Sequence, residues 1–318
     1  MIRISLLLLL TTCTLCCNPS TPTATDAAVA ETTAPEPSTS SSSRSAIPYS
    51  FNQPDSTWDL APVLKEISGL TWMPNPAHLI AINDEKGQLF FIDPKEGKVT
   101  EQRKFGKAAD YEGIEWVNGQ IYIVQSSGTL RAVDENADKK SKAKKYKNAL
   151  SQQDDVEGLG YDADKDQLLL ACKSNGDKKD EEAKLVYAFD LKAKELIEPA
   201  VLRIERQAIL DFLEQQGESE AIKDQFRSKM IFSPSAIAIH PISKEWYISS
   251  SVGKLLLILR PNLQIAHVVA LDREVHSQPE GLCFAPDGTL WISNEGKGGK
   301  PAQIHRFTPR PQEWKKAY

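Results

Sequence analysis

Ser68-Gly-Leu-Thr-Trp72, Glu112-Gly-Ile-Glu-Trp116, Glu157-Gly-Leu-Gly-Tyr161, Ser235-Ala-Ile-Ala-Ile239 and Glu280-Gly-Leu-Cys-Phe284 are five versions of one phrase. Each carries a large apolar residue at its third and fifth positions, the two-residue period of a strand with one buried face. A turn follows every time: Pro74-Asn75-Pro76, Asn118-Gly119, Asp162 to Asp166, Pro241 to Lys244, and Pro286-Asp287-Gly288. Second strands then read at Leu79 to Ile82, Ile121 to Val124, Leu168 to Cys172, Trp246 to Ser249 and Leu290 to Ser293. Third strands read at Leu89 to Asp93, Leu130 to Asp134, Leu185 to Asp190, Leu255 to Leu259 and Ile304 to Phe307.

Short antiparallel strands recurring at this period are the mark of a β-propeller blade, so the chain reads as all-β. Gly69 to Gly113 is 44 residues and Gly113 to Gly158 is 45, whereas Gly158 to Ala236 is 78 and Ala236 to Gly281 is again 45. The long interval is too short for two blades. Its apolar residues Ile209, Phe212, Leu213, Ala221, Ile222 and Phe226 repeat at helical spacing. Five blades with a helical insertion on blade three, residues 203–230, is therefore the expectation, with six blades the alternative. The fifth repeat lacks an outer strand. Tyr49 to Leu64 is expected to supply it and so remove an open sheet edge.

The whole chain has 318 residues, 41% of them hydrophobic, enough to bury a core without disulfide staples. Its 38 basic and 43 acidic residues leave a charge of −5, which argues against a dedicated nucleic-acid binder. The one long apolar run lies in residues 1–17, where Arg3 and Leu6 to Leu10 precede Cys13, Cys16 and Cys17. Residues 18–47 are almost all Ser, Thr, Pro, Ala and acid, a composition that cannot offset chain entropy by burial. Leader, cysteine and disordered tether together resemble a bacterial lipoprotein. The expectation is a lipid anchor on Cys17, with Cys13 the alternative, and a domain over 48–318 held at the cell envelope without spanning a membrane. Ordinary secretion with free cysteines is the competing reading. Cys172 and Cys283 fall in apolar strands and read as buried free thiols, with no zinc-type partners.

Glu66-Ile-Ser-Gly-Leu-Thr-Trp72 leading to Ala81-Ile-Asn-Asp-Glu85 resembles the opening of the SdiA-regulated (YjiK-like) family. So do Asp110-Tyr-Glu-Gly-Ile-Glu115, Ser233-Pro-Ser-Ala-Ile-Ala-Ile239, Gln278-Pro-Glu-Gly-Leu282 and Ser293-Asn-Glu295, over residues 50 to 308. The resemblance implies an envelope-associated five-bladed propeller, distantly like NHL-repeat proteins, with a calcium site and no settled enzymatic activity.

In a propeller the first strand of each blade lines the central channel. Its leading residues, Ser68, Glu112, Glu157, Ser235 and Glu280, therefore converge. Three converging carboxylates repel unless a cation or protons intervene. Calcium, with six to eight hard oxygen ligands in loose geometry, suits them. Asn83, Asp84, Glu85, Asn294 and Glu295, after second strands, face one channel mouth and add oxygens. The metal set expected is Glu112, Glu157, Glu280, Asp84, Glu85 and Glu295. The competing reading is that the glutamates cap backbone amides and hold no metal.

No nucleophile elbow, zinc helix or phosphate loop occurs. Among the histidines only His276 is expected near the channel. Asp162, Asp164 and Asp166 lack the glycine and glutamate of a calcium loop and read as an acidic turn. The lysines between Lys139 and Lys147 read as a solvated loop and outer strand. The functional expectation is a calcium-binding envelope module, a monomer with an unknown envelope ligand and a link to calcium homeostasis. The rival is a calcium-dependent lactonase, esterase or phytase-like hydrolase. An empty, purely structural channel is the third reading.

Overall fold

The structure is a computed structural model that describes residues 47–137, 142–174 and 182–310. The leader 1–17 with Cys13 and Cys17, most of the tether 18–47, Lys139, Lys140 and the loop around Asp177 lie outside the described residues. Among the described residues twenty strands form five four-stranded antiparallel sheets, so the five-blade count holds and these residues form no sixth blade.

The first strand in the chain, β1 (Ser56–Asp59), belongs to the last blade. Blade one is β2 (Ile67–Pro74), β3 (Ala77–Asn83), β4 (Gln88–Ile92) and β5 (Val99–Lys104). Blade two is β6 (Tyr111–Val117), β7 (Gln120–Gln125), β8 (Leu130–Asp134) and β9 (Lys144–Tyr146). Blade three is β10 (Val156–Asp162), β11 (Gln167–Cys172), β12 (Ala183–Asp190) and β13 (Glu195–Glu205). Blade four is β14 (Pro234–Ile239), β15 (Trp246–Ser250), β16 (Leu255–Leu259) and β17 (Ile265–Ala270). Blade five is β18 (Pro279–Phe284), β19 (Leu290–Asn294) and β20 (Gln303–Phe307), with β1 as its outer strand.

Ring closure uses the expected segment. Ser56 pairs with Arg306 and Asp59 with Gln303, and Trp58 stacks on Trp291 with ring centroids 5.6 Å apart. Tyr49 and Phe51, just upstream, are buried among Tyr247, Phe284 and Phe307 of blades four and five. The lysine run supplies β9, an outer strand, as read from its charge.

Between β13 and β14 the insertion folds as α1 (Arg206–Gln215) and α2 (Glu220–Arg227). Their buried faces, Ile209, Leu213, Ile222 and Phe226, join Leu202 and Ile204 of blade three and Leu255, Leu257 and Val268 of blade four in one core cluster. The helices thus cover the seam between two blades. Cys172 and Cys283 are buried and unpaired, and burial pushes both thiols above their ordinary range.

At the axis the packing is tightest at the second position of the repeat. A Cβ on Gly113 would lie 2.7 Å from Leu159 Cβ in the next blade, and one on Gly281 would lie 2.7 Å from Leu70 Cβ. Gly69 and Gly158 are similarly close to Ile114 and Ile237. Four of the five blades therefore lean bare backbone on the third-position residue of the next. The third-position residues, Leu70, Ile114, Leu159, Ile237 and Leu282, are all buried.

Gly113→Ala should overpack this ring and cost about 2 kcal/mol, a fall in Tm on the order of 5 °C. Ala236→Gly, at the one blade that already carries a methyl there, should cost less, about 1 kcal/mol. Thermal unfolding of the two variants checks the contrast; equal, small effects would show that the axis has room to spare.

Candidate functional site

Every blade carries a break in strand register at the same place. The shift falls between Ile67 and Gly69, Tyr111 and Gly113, Val156 and Gly158, Pro234 and Ala236, and Pro279 and Gly281. The residue inside each shift is Ser68, Glu112, Glu157, Ser235 or Glu280. A bulge re-aims one side chain out of the alternation. Five bulges therefore bring these five residues to one end of the channel, where Ser68, Glu112, Glu157 and Glu280 share a hollow of about 270 Å³.

The serines and glutamates then part ways. Ser68 Oγ donates to the Tyr111 carbonyl at 2.7 Å, and Ser235 Oγ donates to the Pro279 carbonyl at 2.7 Å. Both hydroxyls are clips between blades. The glutamates face one another instead.

A second ring of residues reaches the same hollow from the ends of the second strands. Asp84 and Glu295 arrive as expected, while Glu85 is exposed and does not line it. One residue of further extension carries Glu85 away from the axis. Lys173 arrives too, from the corresponding place after β11, and was not foreseen. Its Nζ donates to Glu157 Oε1 at 2.7 Å and lies 4.0 Å from Asp155. Glu66 and Gln278 complete the lining, and the Gln278 amide donates to Glu295 Oε2. The signal for Lys173 was available. It follows the second strand of blade three as Asp84 and Glu295 follow those of blades one and five.

Burial sets the charge state. It pushes Glu112 up to about 10, helped by the charges of Glu157, Asp110 and Glu280, so the carboxyl keeps its proton and hydrogen-bonds Asp110. Glu280 is pushed up to about 8 by burial and then by Glu157. Glu157 is raised by burial against the opposing pull of Lys173. Asp84 and Glu295 are raised as well, first by burial and then by Glu66 and Asp84 respectively. Burial works against the Lys173 ammonium, but Glu157 outweighs it and holds that group above its ordinary range.

The donors are all hard oxygens apart from one ammonium and one amide, and Asp84 Oδ1 is buried without a partner among the described residues. That set fits calcium in charge and in donor type. Among the described residues no three His, Cys, Asp or Glu side chains are gathered closely enough to hold an ion as they stand. The chemistry fits, and the cage is not preset.

His276 does not approach the channel. Its ring is fully buried, donates a hydrogen bond from Nε2 to the Phe51 carbonyl at 2.8 Å, and stacks on Phe307 at 6.0 Å. A carbonyl accepts, so Nε2 carries the proton and the histidine pins the closing segment to blade five. The three aspartates Asp162, Asp164 and Asp166 sit at the β10–β11 turn, with Asp162 Oδ1 accepting from the Asp164 amide at 3.1 Å.

Below the acidic mouth the first three positions of the repeat leave a gap of only about 10 Å³, room for about one water. Beyond this waist it opens into a separate hollow of about 370 Å³ on the opposite face. Trp72, Trp116, Tyr161 and Phe284 line it, together with Glu115 and His240. The fifth positions of the repeat are thus half-buried walls and not core residues as their apolar period implies.

A family model described as SdiA-regulated matches residues 55–298. Among solved structures, glutaminyl cyclase of Myxococcus xanthus is 11% identical, with 80% of this chain and 95% of that one covered and a TM-score of 0.53. A luciferin-regenerating enzyme is 12% identical, with 81% and 96% covered and a TM-score of 0.46. Virginiamycin B lyase of Staphylococcus aureus is 13% identical, with 76% of this chain and 66% of that one covered and a TM-score of 0.42. At these identities the likeness is one of fold. No curated protein matches.

The raised carboxyls make stability depend on pH with a definite sign. Above pH 6.5 the folded chain keeps protons on Glu112 and Glu280 that an unfolded carboxyl of pKa 4.5 has lost. Stability in chelator should therefore fall as pH rises from about 6.5 to 8, by at most about 1.4 kcal/mol per unit for each group. His240 and His276, lowered to about 4 by burial, act in the opposite sense but only below 6.5, where the unfolded imidazole takes up a proton. Glu112→Gln should melt higher than the wild type at pH 8, with a smaller gap at pH 6.5. A flat Tm in both proteins would mean that these carboxyls are ionised in the folded state.

Proposed function

This chain belongs to the SdiA-regulated family, and we propose that it is a calcium-binding module of the bacterial cell envelope, carried on a lipid anchor at Cys17 and acting by binding rather than by catalysis. The observation that carries this reading is the acidic mouth. Glu112, Glu157, Glu280, Asp84 and Glu295 meet there, with Lys173 as the one cation lining the hollow. Left to themselves the surplus carboxyls hold protons at neutral pH. A divalent cation of loose coordination relieves the same repulsion and joins side chains from four blades. Its bound charge is the chemistry it would supply: neutralisation of these oxygens and an open face for an anionic or carbonyl-bearing envelope ligand.

A binding role is supported by what the hydroxyls do. Ser68 and Ser235 donate to backbone carbonyls, and His276 is locked in blade five, so none is lined up as a nucleophile with its base. One observation favours the hydrolase reading instead. Glu280, held at about 8, has the affinity for protons of a general acid near neutral pH. Turnover of a lactone, aryl ester or phytate that is lost in chelator and in Glu280→Gln would establish it. The leader's cysteines support the anchor, and the balanced charge supports partners other than nucleic acid.

Thermal unfolding of the full chain in EDTA, calcium and magnesium tests the ion. Calcium at a hundredfold its Kd should add about 2.7 kcal/mol, roughly 5–10 °C in Tm, with a smaller rise in magnesium. Glu112→Gln and Glu280→Gln should each shrink the calcium increment. No rise at millimolar calcium would leave a proton-balanced cluster with no ion role. Labelled fatty acid should enter the wild type and Cys13→Ala but not Cys17→Ala; the reverse pattern would move the anchor to Cys13.

A further inference from the structure

The hollow on the opposite face has a different character, and nothing in the reading of the acidic mouth depends on it. Its 370 Å³ falls within the range of small-molecule sites, roughly 300–1,000 Å³. Four of its walls are rings from the fifth position of the repeat, Trp72, Trp116, Tyr161 and Phe284, and His240 adds a fifth ring in blade four, whose own fifth position is Ile239.

Three of these rings have their polar ends committed elsewhere, and the fourth, Trp72, keeps its Nε1 buried without a partner among the described residues. Trp116 Nε1 donates to Glu135 Oε2 at 2.6 Å, and the Tyr161 hydroxyl donates to Asp166 Oδ1 at 2.9 Å. His240 Nδ1 accepts from the Ile242 and Ser243 amides at 3.2 and 2.9 Å. Its proton is therefore on Nε2, which donates to the Tyr49 hydroxyl at 2.9 Å, while that hydroxyl donates to the Gly288 carbonyl. What the rings offer the hollow is carbon and π-surface.

The floor holds one carboxylate. Glu115 stands at the fourth position of blade two, where the other blades place Thr71, Gly160, Ala238 and Cys283. Its Oε1 accepts from Thr71 Oγ1 at 2.6 Å and from the Trp116 amide at 3.0 Å. Its Oε2 takes no hydrogen bond, and the group has no ion pair, among the described residues. At the rim Asp162 and Asp164 outnumber Lys244, which lies 3.4 Å from Asp164 Oδ1. The charge that is missing is positive.

We propose that this aromatic mouth binds a small organic cation, an alkylated ammonium with an apolar or aromatic substituent, with Glu115 as its counter-ion. Ring faces carry negative quadrupole charge and attract a cation within about 6 Å. A primary ammonium brings three N–H donors that need acceptors, and the walls are carbon. A fully alkylated, quaternary ammonium brings none and presents methyl groups that carbon walls accommodate. The waist separates it from the acidic mouth, so an ion there and a cation here occupy different hollows.

The test is a fluorescence and calorimetric titration of the full chain with benzyltrimethylammonium, its neutral carbon isostere neopentylbenzene, and benzoate. Saturable binding of the ammonium is expected at sub-millimolar concentration, with the isostere at least about tenfold weaker and benzoate silent. Glu115→Gln keeps an acceptor for Thr71 and the Trp116 amide, so it should fold, and should weaken the ammonium about tenfold. Trp116→Leu should weaken ammonium and isostere together, and Glu85→Gln, at an exposed residue that lines neither hollow, should change neither. The proposal is overturned by no saturable binding up to about 10 mM, by equal affinity for the isostere, or by unchanged affinity in a folded Glu115→Gln protein. The wild-type comparison of ammonium with isostere stands even where a variant fails to fold.

Discussion

Five inner strands meet around one axis so closely that two of them have no room for a side-chain carbon at the second position of the repeat, and two more have it only if the next blade gives way. The contact of Gly113 with Leu159 and that of Gly281 with Leu70 are the same contact, made between blades two and three and between blades five and one, and the second of them closes the circle. Because the backbone itself is the packing surface there, the third-position side chains plug the channel. The remaining residues of the inner strands are divided between two ends, with a gap of only about 10 Å³ between them. Both hollows of the disc exist because of this plug. The bulge just before each glycine is its companion: the register breaks where the strand must turn a polar side chain toward the axis while its backbone stays against the next blade.

Burial then does opposite things at the two ends. At the acidic mouth it strips water from several carboxyls at once, and a single ammonium on a flexible stem satisfies only its nearest, Glu157. Glu112 and Glu280 are left to hold protons. At the aromatic mouth one carboxylate is stripped of water alone, and burial raises it to about 7 against the hydrogen bonds of Thr71 and Trp116. The first end has too many like charges in contact, the second a floor carboxylate, Glu115, with no ion pair of its own among the described residues. Each arrangement is eased by a cation, but by cations of different kinds: a hard ion where oxygens abound, and a soft, carbon-clad one where rings do.

The fold was legible because strand period, turn chemistry and repeat length all point the same way, and the helical period of Ile209, Leu213, Ile222 and Phe226 explains the one irregular interval. The first ring of the acidic mouth was legible for the same reason, since a repeat superposes its own equivalent positions. What escaped was anything that breaks the alternation. Glu85 was grouped with Asp84 although one step along the chain takes it into solvent. Lys173 was overlooked because a lysine does not look like a member of a carboxylate ring, although its place after β11 is equivalent. His276 was judged by its nearness to Glu280 in the chain, whereas a side chain four residues upstream of the bulge belongs to the outer layers of blade five. The fifth-position rings were taken for core because a period of two reports that a face is covered and not what covers it. There the cover is a hollow.

At neutral pH the acidic mouth is charged with protons as much as with electrons, and this ties any ion it takes to the proton. A divalent cation can draw on Glu112 and Glu280 only as they ionise, so uptake must release protons, and acid must compete with the ion. Lys173 adds a second competitor of fixed concentration, since its ammonium is tethered beside Glu157. An ion that enters has to outbid both. The oxygens on the second strands, Asp84 and Glu295, are the ones with neither a lysine partner nor the full burial of the inner glutamates. They are therefore the groups that would meet an arriving cation first, and the bulged glutamates those that would yield their protons to make room for it.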